Sequence, residues 1–243
     1  MIPNPLRLLW AAWVWLLVLP TLAVAAAPIL VLPRLADRRA VARALSRAYF
    51  RLCGLPIRVQ GLERLPAGAC IIVANHASYL DGPLLFACLP PRFGFVIKKE
   101  ASRIPFAGGL LRRLGHHFVE RHNRQEGGSD ARRILRAVED GQAVAFFPEG
   151  TFTADPGLAR FHSGAFAAAA RAGVPVAPVV VRGTRQVLGA GQFLPRWGRI
   201  EVEVLPPIAG IVGAGDAAVA LRDTAHRMIS AALTEQKKVT QTF

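Results

Sequence analysis

The sequence predicts an α/β fold, a mixed and largely parallel sheet flanked by helices, behind an N-terminal hydrophobic segment that is helical and membrane-anchoring. Three observations predict it. Short apolar runs alternate with helical patterns over most of the chain, as they do where helices cross between strands of one sheet. From Leu8 to Leu32 there is no charged residue. The composition, 52% hydrophobic with only 8% aromatics in 243 residues, suffices for one large core together with a membrane segment. Two parts follow: an anchor over residues 1–35 and one globular domain over residues 36–243.

The anchor reads LLWAAWVWLLVLPTLAVAAAPILVL, longer than the ~20 residues a helix needs to cross a bilayer. Pro20 and Pro28 interrupt the helical pattern, so a kinked span and a helical hairpin in one leaflet both fit. Trp10, Trp13 and Trp15 suit the interface. Arg34, Arg38, Arg39, Arg43 and Arg47 follow as a positive-inside flank, which places the domain on the cytoplasmic side of the cell inner membrane. A cleaved signal peptide, with AVAAAP as its cleavage site, is the alternative; the length of the run and its weakly basic start argue against it.

Past the anchor, AVARALSRAYFRLCG has helical periodicity and a glycine stop, with its arginines expected at the membrane surface. IRVQG, CIIVAN, FGFVI, HHFVE, AVAFFPEG, VPVAPVVV and IEVEVLPPI read as strands, and the prolines of VPVAPVVV are expected at the ends of its strand. LDGPLLFACL, FAGGLLRRLG, SDARRILRAVEDG and HSGAFAAAARAG read as helices, followed by a last one from Asp216 to about Leu233. Thirty Lys and Arg against sixteen Asp and Glu give a formal charge of +14, which favours anionic partners. The mean hydropathy of +0.33 points to lipid. No nucleic-acid-binding motif and no aromatic interleaving among the arginines supports a nucleic-acid partner. Cys53, Cys70 and Cys88 are odd in number and lack CxxC spacing, so they read as buried thiols in a reducing compartment, and no metal site is expected.

The chemistry concentrates in IIVANHASYLDGPLL, Ile71 to Leu85, where a buried strand gives way to an imidazole and a carboxylate. A separation of five turns two side chains away from each other on one helix. His76 and Asp81 meet only if His76 leaves the strand in a loop and Asp81 sits in the first turn of the next helix. There Asp81 accepts from one ring nitrogen and leaves the other free to take a proton. A purely structural His–Asp bond at a helix N-terminus fits the same pattern. Ser78 lacks the GxSxG elbow of a serine hydrolase and reads as a turn or capping hydroxyl.

Four blocks in order resemble the glycerolipid acyltransferase family that includes the lysophosphatidate acyltransferases. NHASYLD fits its NHxxxxD motif, FVIKKE with IPFAGGLLRRLGHHFVERHN its second block, FPEGT its third and VPVAPV its fourth. The resemblance implies an acyltransferase domain in which His76 is general base and Asp81 its orienter, with Asn75 beside them. It implies that Gly115 and Arg121 end the second block, with Arg121 clamping a phosphate. It further implies that Glu149, Gly150 and Thr151 contact the acceptor and that Lys98 or Lys99 steers the anionic donor or helps stabilise the oxyanion. The implied reaction moves a fatty acyl group from acyl-CoA or acyl-carrier protein to 1-acylglycerol-3-phosphate, giving phosphatidic acid, with no cofactor. The expected partners are the bilayer, the lysophospholipid acceptor and the donor. The family's usual continuation after EGT is Arg-Ser, and here it is Phe152-Thr153. That departure puts the acceptor headgroup in question and makes another lysolipid, such as lyso-ornithine lipid, the leading alternative.

Overall fold

The computed structural model describes every residue except 1–3, 121–123, 156, 214 and 242–243; of 124–128 and 236–241 it describes the backbone alone. All seven apolar runs are strands: β1 (Ile57–Gln60), β2 (Ile71–Ala74), β3 (Phe93–Lys98), β4 (His117–Val119), β5 (Ala143–Phe146), β6 (Val176–Arg182) and β7 (Ile200–Val204). They form one sheet in the order β1-β7-β6-β2-β5-β3-β4. The pairings are parallel except β6 with β7, so β2, β3, β4, β5 and β6 all end at the same edge.

Strand β2 lies at the centre and each of its residues is fully buried. Ile72 and Ala74 face a cluster with Phe50, Leu84 and Leu85. Ile71 and Val73 face a second with Val138, Phe166, Leu221 and Ile229. Burial on both faces is why the run shows no polar alternation. Helices α4 (Asp81–Cys88) and α8 (Thr184–Leu188) cover the first face. Helices α6 (Arg124–Glu139), α7 (Gly164–Ala172) and α9 (Gly215–Gln241) cover the second. Truncating Ile72 to Ala would leave a cavity between α4 and the sheet, at a cost of about 2–5 kcal/mol.

Pro178 lies inside β6, opposite Val73, rather than at the end of the strand. Its carbonyl accepts from Leu205 N, so its missing donor faces the same side, just past the last rung of β7 at Val204. A proline is tolerated where the neighbouring ladder has stopped.

At the N-terminus, Pro5 occupies the first helical turn and Asn4 Oδ1 accepts from Leu6 N at 3.0 Å, starting α1 (Pro5–Leu16). A one-residue interruption at Leu17 separates it from α2 (Val18–Val31), because Pro20 has no N–H for the Leu16 carbonyl. Bonds from Leu17 N to Trp13 O and from Thr21 N to Leu17 O carry the helix through. The 27-residue helical stretch Pro5–Val31, which contains an 18-residue window of mean hydropathy 2.4, is long and apolar enough to cross a membrane by length and composition. They run antiparallel to α3 (Leu35–Leu52), with Tyr49 Oη donating to Val14 O and Arg38 Nε to Leu32 O. Leu6, Leu9, Leu16, Leu19, Val24 and Val31 are exposed on the outer side.

The arginines of α3 are not all at a surface. Arg39 is only 5% exposed and donates to the carbonyls of Leu114, Gly115 and Arg92. Here a guanidinium, which offers five donors in a fixed fork, ties α3 to the turn between α5 (Ala107–Arg113) and β4. All three cysteines are buried and unpaired.

Candidate active site

Strand β2 ends at Ala74, and the next residue extends its hold on β6 with a side chain. Asn75 Nδ2 donates to Val181 O at 2.9 Å and Asn75 Oδ1 accepts from Val181 N at 2.7 Å. This two-bond clamp fixes the point at which the chain leaves the sheet. His76 then stands in the loop and Asp81 in the first turn of α4, as their spacing requires.

Asp81 is fully buried. Its Oδ2 lies 2.8 Å from His76 Nδ1 and accepts from Ala77 N at 2.6 Å and Ser78 N at 2.8 Å. An acceptor on Nδ1 fixes the neutral tautomer with the proton on that nitrogen. Nε2 then carries the lone pair, with no protein partner among the described residues. Ser78 Oγ donates to Leu188 O at 2.5 Å and accepts from Leu80 N, so it seats the loop on α8.

Glu149, in the turn after β5, holds the loop from the other side. Its Oε1 accepts from His76 N at 2.6 Å and its Oε2 from Ala159 N at 2.8 Å. Both oxygens therefore serve backbone amides, in addition to any contact with the acceptor that the resemblance implied. Burial pushes its carboxyl above the usual range, and the two amide bonds oppose that shift. Gly150 closes the turn with φ of 80°, its N–H donating to Phe147 O at 3.0 Å. Only glycine adopts that φ without strain.

Residues 56–182, just over half of the chain, match the Acyltransferase family. The chain belongs to that family. The 1-acyl-sn-glycerol-3-phosphate acyltransferase BAT2, chloroplastic, of Brassica napus is 34% identical over 155 residues, 63% of this chain and 45% of that protein. The lyso-ornithine lipid O-acyltransferase of Pseudomonas aeruginosa is 37% identical over 136 residues, 54% of this chain and 50% of that protein. The chain thus spans about half the length of these curated relatives. The crystal structure of the 1-acyl-sn-glycerophosphate (LPA) acyltransferase PlsC from Thermotoga maritima matches with a TM-score of 0.80 at 21% identity, over 95% of this chain and 96% of that one. That likeness establishes a common fold.

In this member of the acyltransferase family the remaining expected site residues do not all converge. Lys98 is exposed at the end of β3, at the same edge of the sheet as His76 and two strands away. Lys99 pairs with Glu120 at 4.0 Å. Thr151 is exposed directly after the Gly150 turn. Gly115 precedes β4 and is level with Gly94 and Ile71. That is about 16 Å short of His76 along the strand direction, and its own surroundings are Arg39 and Leu35. Arg121 lies outside the described residues.

Three aromatic side chains lie near His76, and the sequence placed none of them there. Phe147 stacks on the His76 ring with centroids 4.2 Å apart and planes at 21°, and Phe152 leans on it at 4.5 Å and 56°. Tyr79 meets Phe152 edge-on at 4.8 Å. Arg185, at the start of α8, holds the loop after Phe152: its Nη1 reaches the carbonyls of Thr153, Ala154 and Asp155 at 2.7–3.0 Å. The signal for Phe152 was its place after EGT; nothing in the sequence marked Arg185.

Proposed function

We propose that this protein is a membrane-bound O-acyltransferase that transfers a fatty acyl group from acyl-CoA or acyl-carrier protein to the free hydroxyl of 1-acylglycerol-3-phosphate, giving phosphatidic acid. The observation that carries the proposal is the His76–Asp81 pair at the sheet edge, with Nδ1 engaged and Nε2 available. The lysolipid hydroxyl attacks the thioester carbonyl carbon while its proton passes to His76 Nε2. Asp81 stabilises the imidazolium that forms and keeps the ring in place. The C–S bond then breaks and the departing thiolate takes the proton back. Direct transfer needs neither an acyl-enzyme nor a cofactor. Asn75 and Glu149 hold the loop that carries the base, and Lys98, exposed at the same edge of the sheet, is a candidate to steer an anionic donor. The outer side of Pro5–Val31 supplies the bilayer contact, with the domain on the cytoplasmic side of the inner membrane.

A second acceptor has one observation in its favour. Phe152, where a cation is usual, packs its ring on His76 and offers a phosphate nothing. That agrees with the 37% identity to a lyso-ornithine lipid O-acyltransferase. A panel of lysolipid acceptors with purified full-length protein and labelled acyl-CoA tests both readings. Product from lysophosphatidate supports the first and product from lyso-ornithine lipid alone the second. Folded protein that acylates no lysolipid refutes both.

A further inference from the structure

A base that takes a proton from a lysolipid hydroxyl is equally able to take one from water. Hydrolysis of the donor is therefore the built-in competing reaction of such a site. The surroundings of His76 answer that problem in layers. The His76 side chain is 17% exposed, with Phe147 stacked on it and Phe152 leaning against it. Outside Phe152 stands Tyr79, 54% exposed and edge-on to it. Tyr79 is exposed, while Phe152 and His76 behind it are both partly buried. Phenyl rings offer a water no partner by which to be oriented toward Nε2, whereas the glycerol and acyl carbons of a lysolipid pack on them favourably. The layer is also held in position. Gly150 turns the chain back toward the imidazole, Arg185 grips the three carbonyls after Phe152, and Ser78 ties the His76 loop to the same helix, α8.

We propose that Phe152, supported by Tyr79, is a specificity-determining residue that selects a lysolipid hydroxyl over water at His76. The proposal rests on the acyltransferase reading above. In the reaction it suppresses, a water oxygen bonds to the thioester carbonyl carbon and its proton passes to Nε2. The C–S bond breaks and the thiolate recovers that proton, leaving a free fatty acid and a free thiol. Transfer follows the same course with the lysolipid oxygen in place of water.

The test measures thiol release and acylated lipid together, with purified full-length protein, a long-chain acyl-CoA and the best acceptor of the panel. Phe152→Ala is expected to raise the ratio of hydrolysis to transfer roughly tenfold, the low end of what one apolar contact achieves in discrimination. Phe152→Trp, which keeps an aromatic wall, restores a low ratio. Tyr79→Ala alters an exposed side chain, leaves folding intact and raises the ratio by a smaller factor. In the His76→Ala, Phe152→Ala double variant both products disappear, because both use one base. The proposal is overturned if Phe152→Ala and Tyr79→Ala slow transfer with the ratio unchanged, or if hydrolysis survives loss of His76. Wild-type protein that releases thiol but never acylates a lysolipid overturns the acyltransferase reading itself, which separates the two failures.

Discussion

His76, at the exit of β2, is held by two carboxylates, whereas His116, at the entry to β4, faces a guanidinium and a second imidazole. Asp81 accepts a hydrogen bond from His76 Nδ1 and Glu149 accepts one from its backbone N–H. His116 Nδ1 instead accepts from Phe95 N at 3.2 Å, and Phe86 and Phe95 pack edge-on against its ring. Burial, then the charges of Arg39 and His117, push its pKa down to about 3. His76 has two carboxylates beside it, whereas a proton arriving at His116 meets positive charge in largely buried surroundings. On the proposed reading the same side chain thus serves as a base at one end of the sheet and as a neutral packing element near the other. The neighbours' charge and the nitrogen left free decide which.

Substitutions at each histidine are the sharpest way to break this contrast. His76→Ala should lower kcat by about 10²–10⁴-fold, the usual worth of a general base, with acceptor KM little changed. His116→Gln should leave turnover near wild type. Equal losses in the two variants would remove the distinction. Asp81→Asn comes next, with kcat lower by about 10²-fold: an amide still accepts from the loop but no longer offsets the charge of an imidazolium. A wild-type rate in that variant would reduce Asp81 to a loop anchor.

Stability against pH sharpens the comparison from the other side. The folded-state pKa of His116 lies below its unfolded value, so above about 6.5 both states are neutral there and pH has no effect through this group. As pH falls toward about 3, the unfolded chain binds a proton that the folded protein refuses, and stability is lost. His116→Gln should flatten that part of the urea-midpoint curve. Glu149 has the opposite sign. Its raised pKa means that burying the charge costs stability, absent below the ordinary carboxyl range and complete once pH has risen through the folded value. Glu149→Gln can serve only one of the two amides with its single oxygen. It should be destabilised by about 1–3 kcal/mol, by more at low pH than at neutral pH, as chemical denaturation would record.

The parts of this design that are local in sequence were visible before the fold was. A strand buried on both faces is a short apolar run, so β2 and β5 announced themselves, and the five-residue spacing of His76 and Asp81 required a loop followed by a helix start. Residues whose partners lie far along the chain were not readable. Arg39 occupies an ordinary place in an amphipathic arginine-rich helix, yet the carbonyls of Leu114 and Gly115 that it grips come 75 and 76 residues later. Glu149 looked like a contact for the acceptor because an acid after a strand end faces a ligand edge. That it also holds the amides of His76 and Ala159 depends on how two loops cross. Phe152 stood out as a missing cation, but that it lies against the imidazole follows only from the packing of the β2 and β5 loops.

The tryptophans of the apolar helix bear on how such an enzyme meets its substrate. Trp10 Nε1 donates to Cys53 O, Trp13 Nε1 to Leu52 O and Trp15 Nε1 to Phe193 O, each at 2.8–2.9 Å. The helix is bolted to the domain at three points, without a slack tether, so on the proposed reading, with the helix in a leaflet, the sheet edge that carries His76 keeps one attitude to that leaflet. Arrival of a lysolipid is then a two-dimensional search, governed by molecules per unit area. Velocity in mixed vesicles should follow the surface mole fraction of acceptor, and diluting the vesicles at fixed composition should leave the turnover of each bound enzyme unchanged.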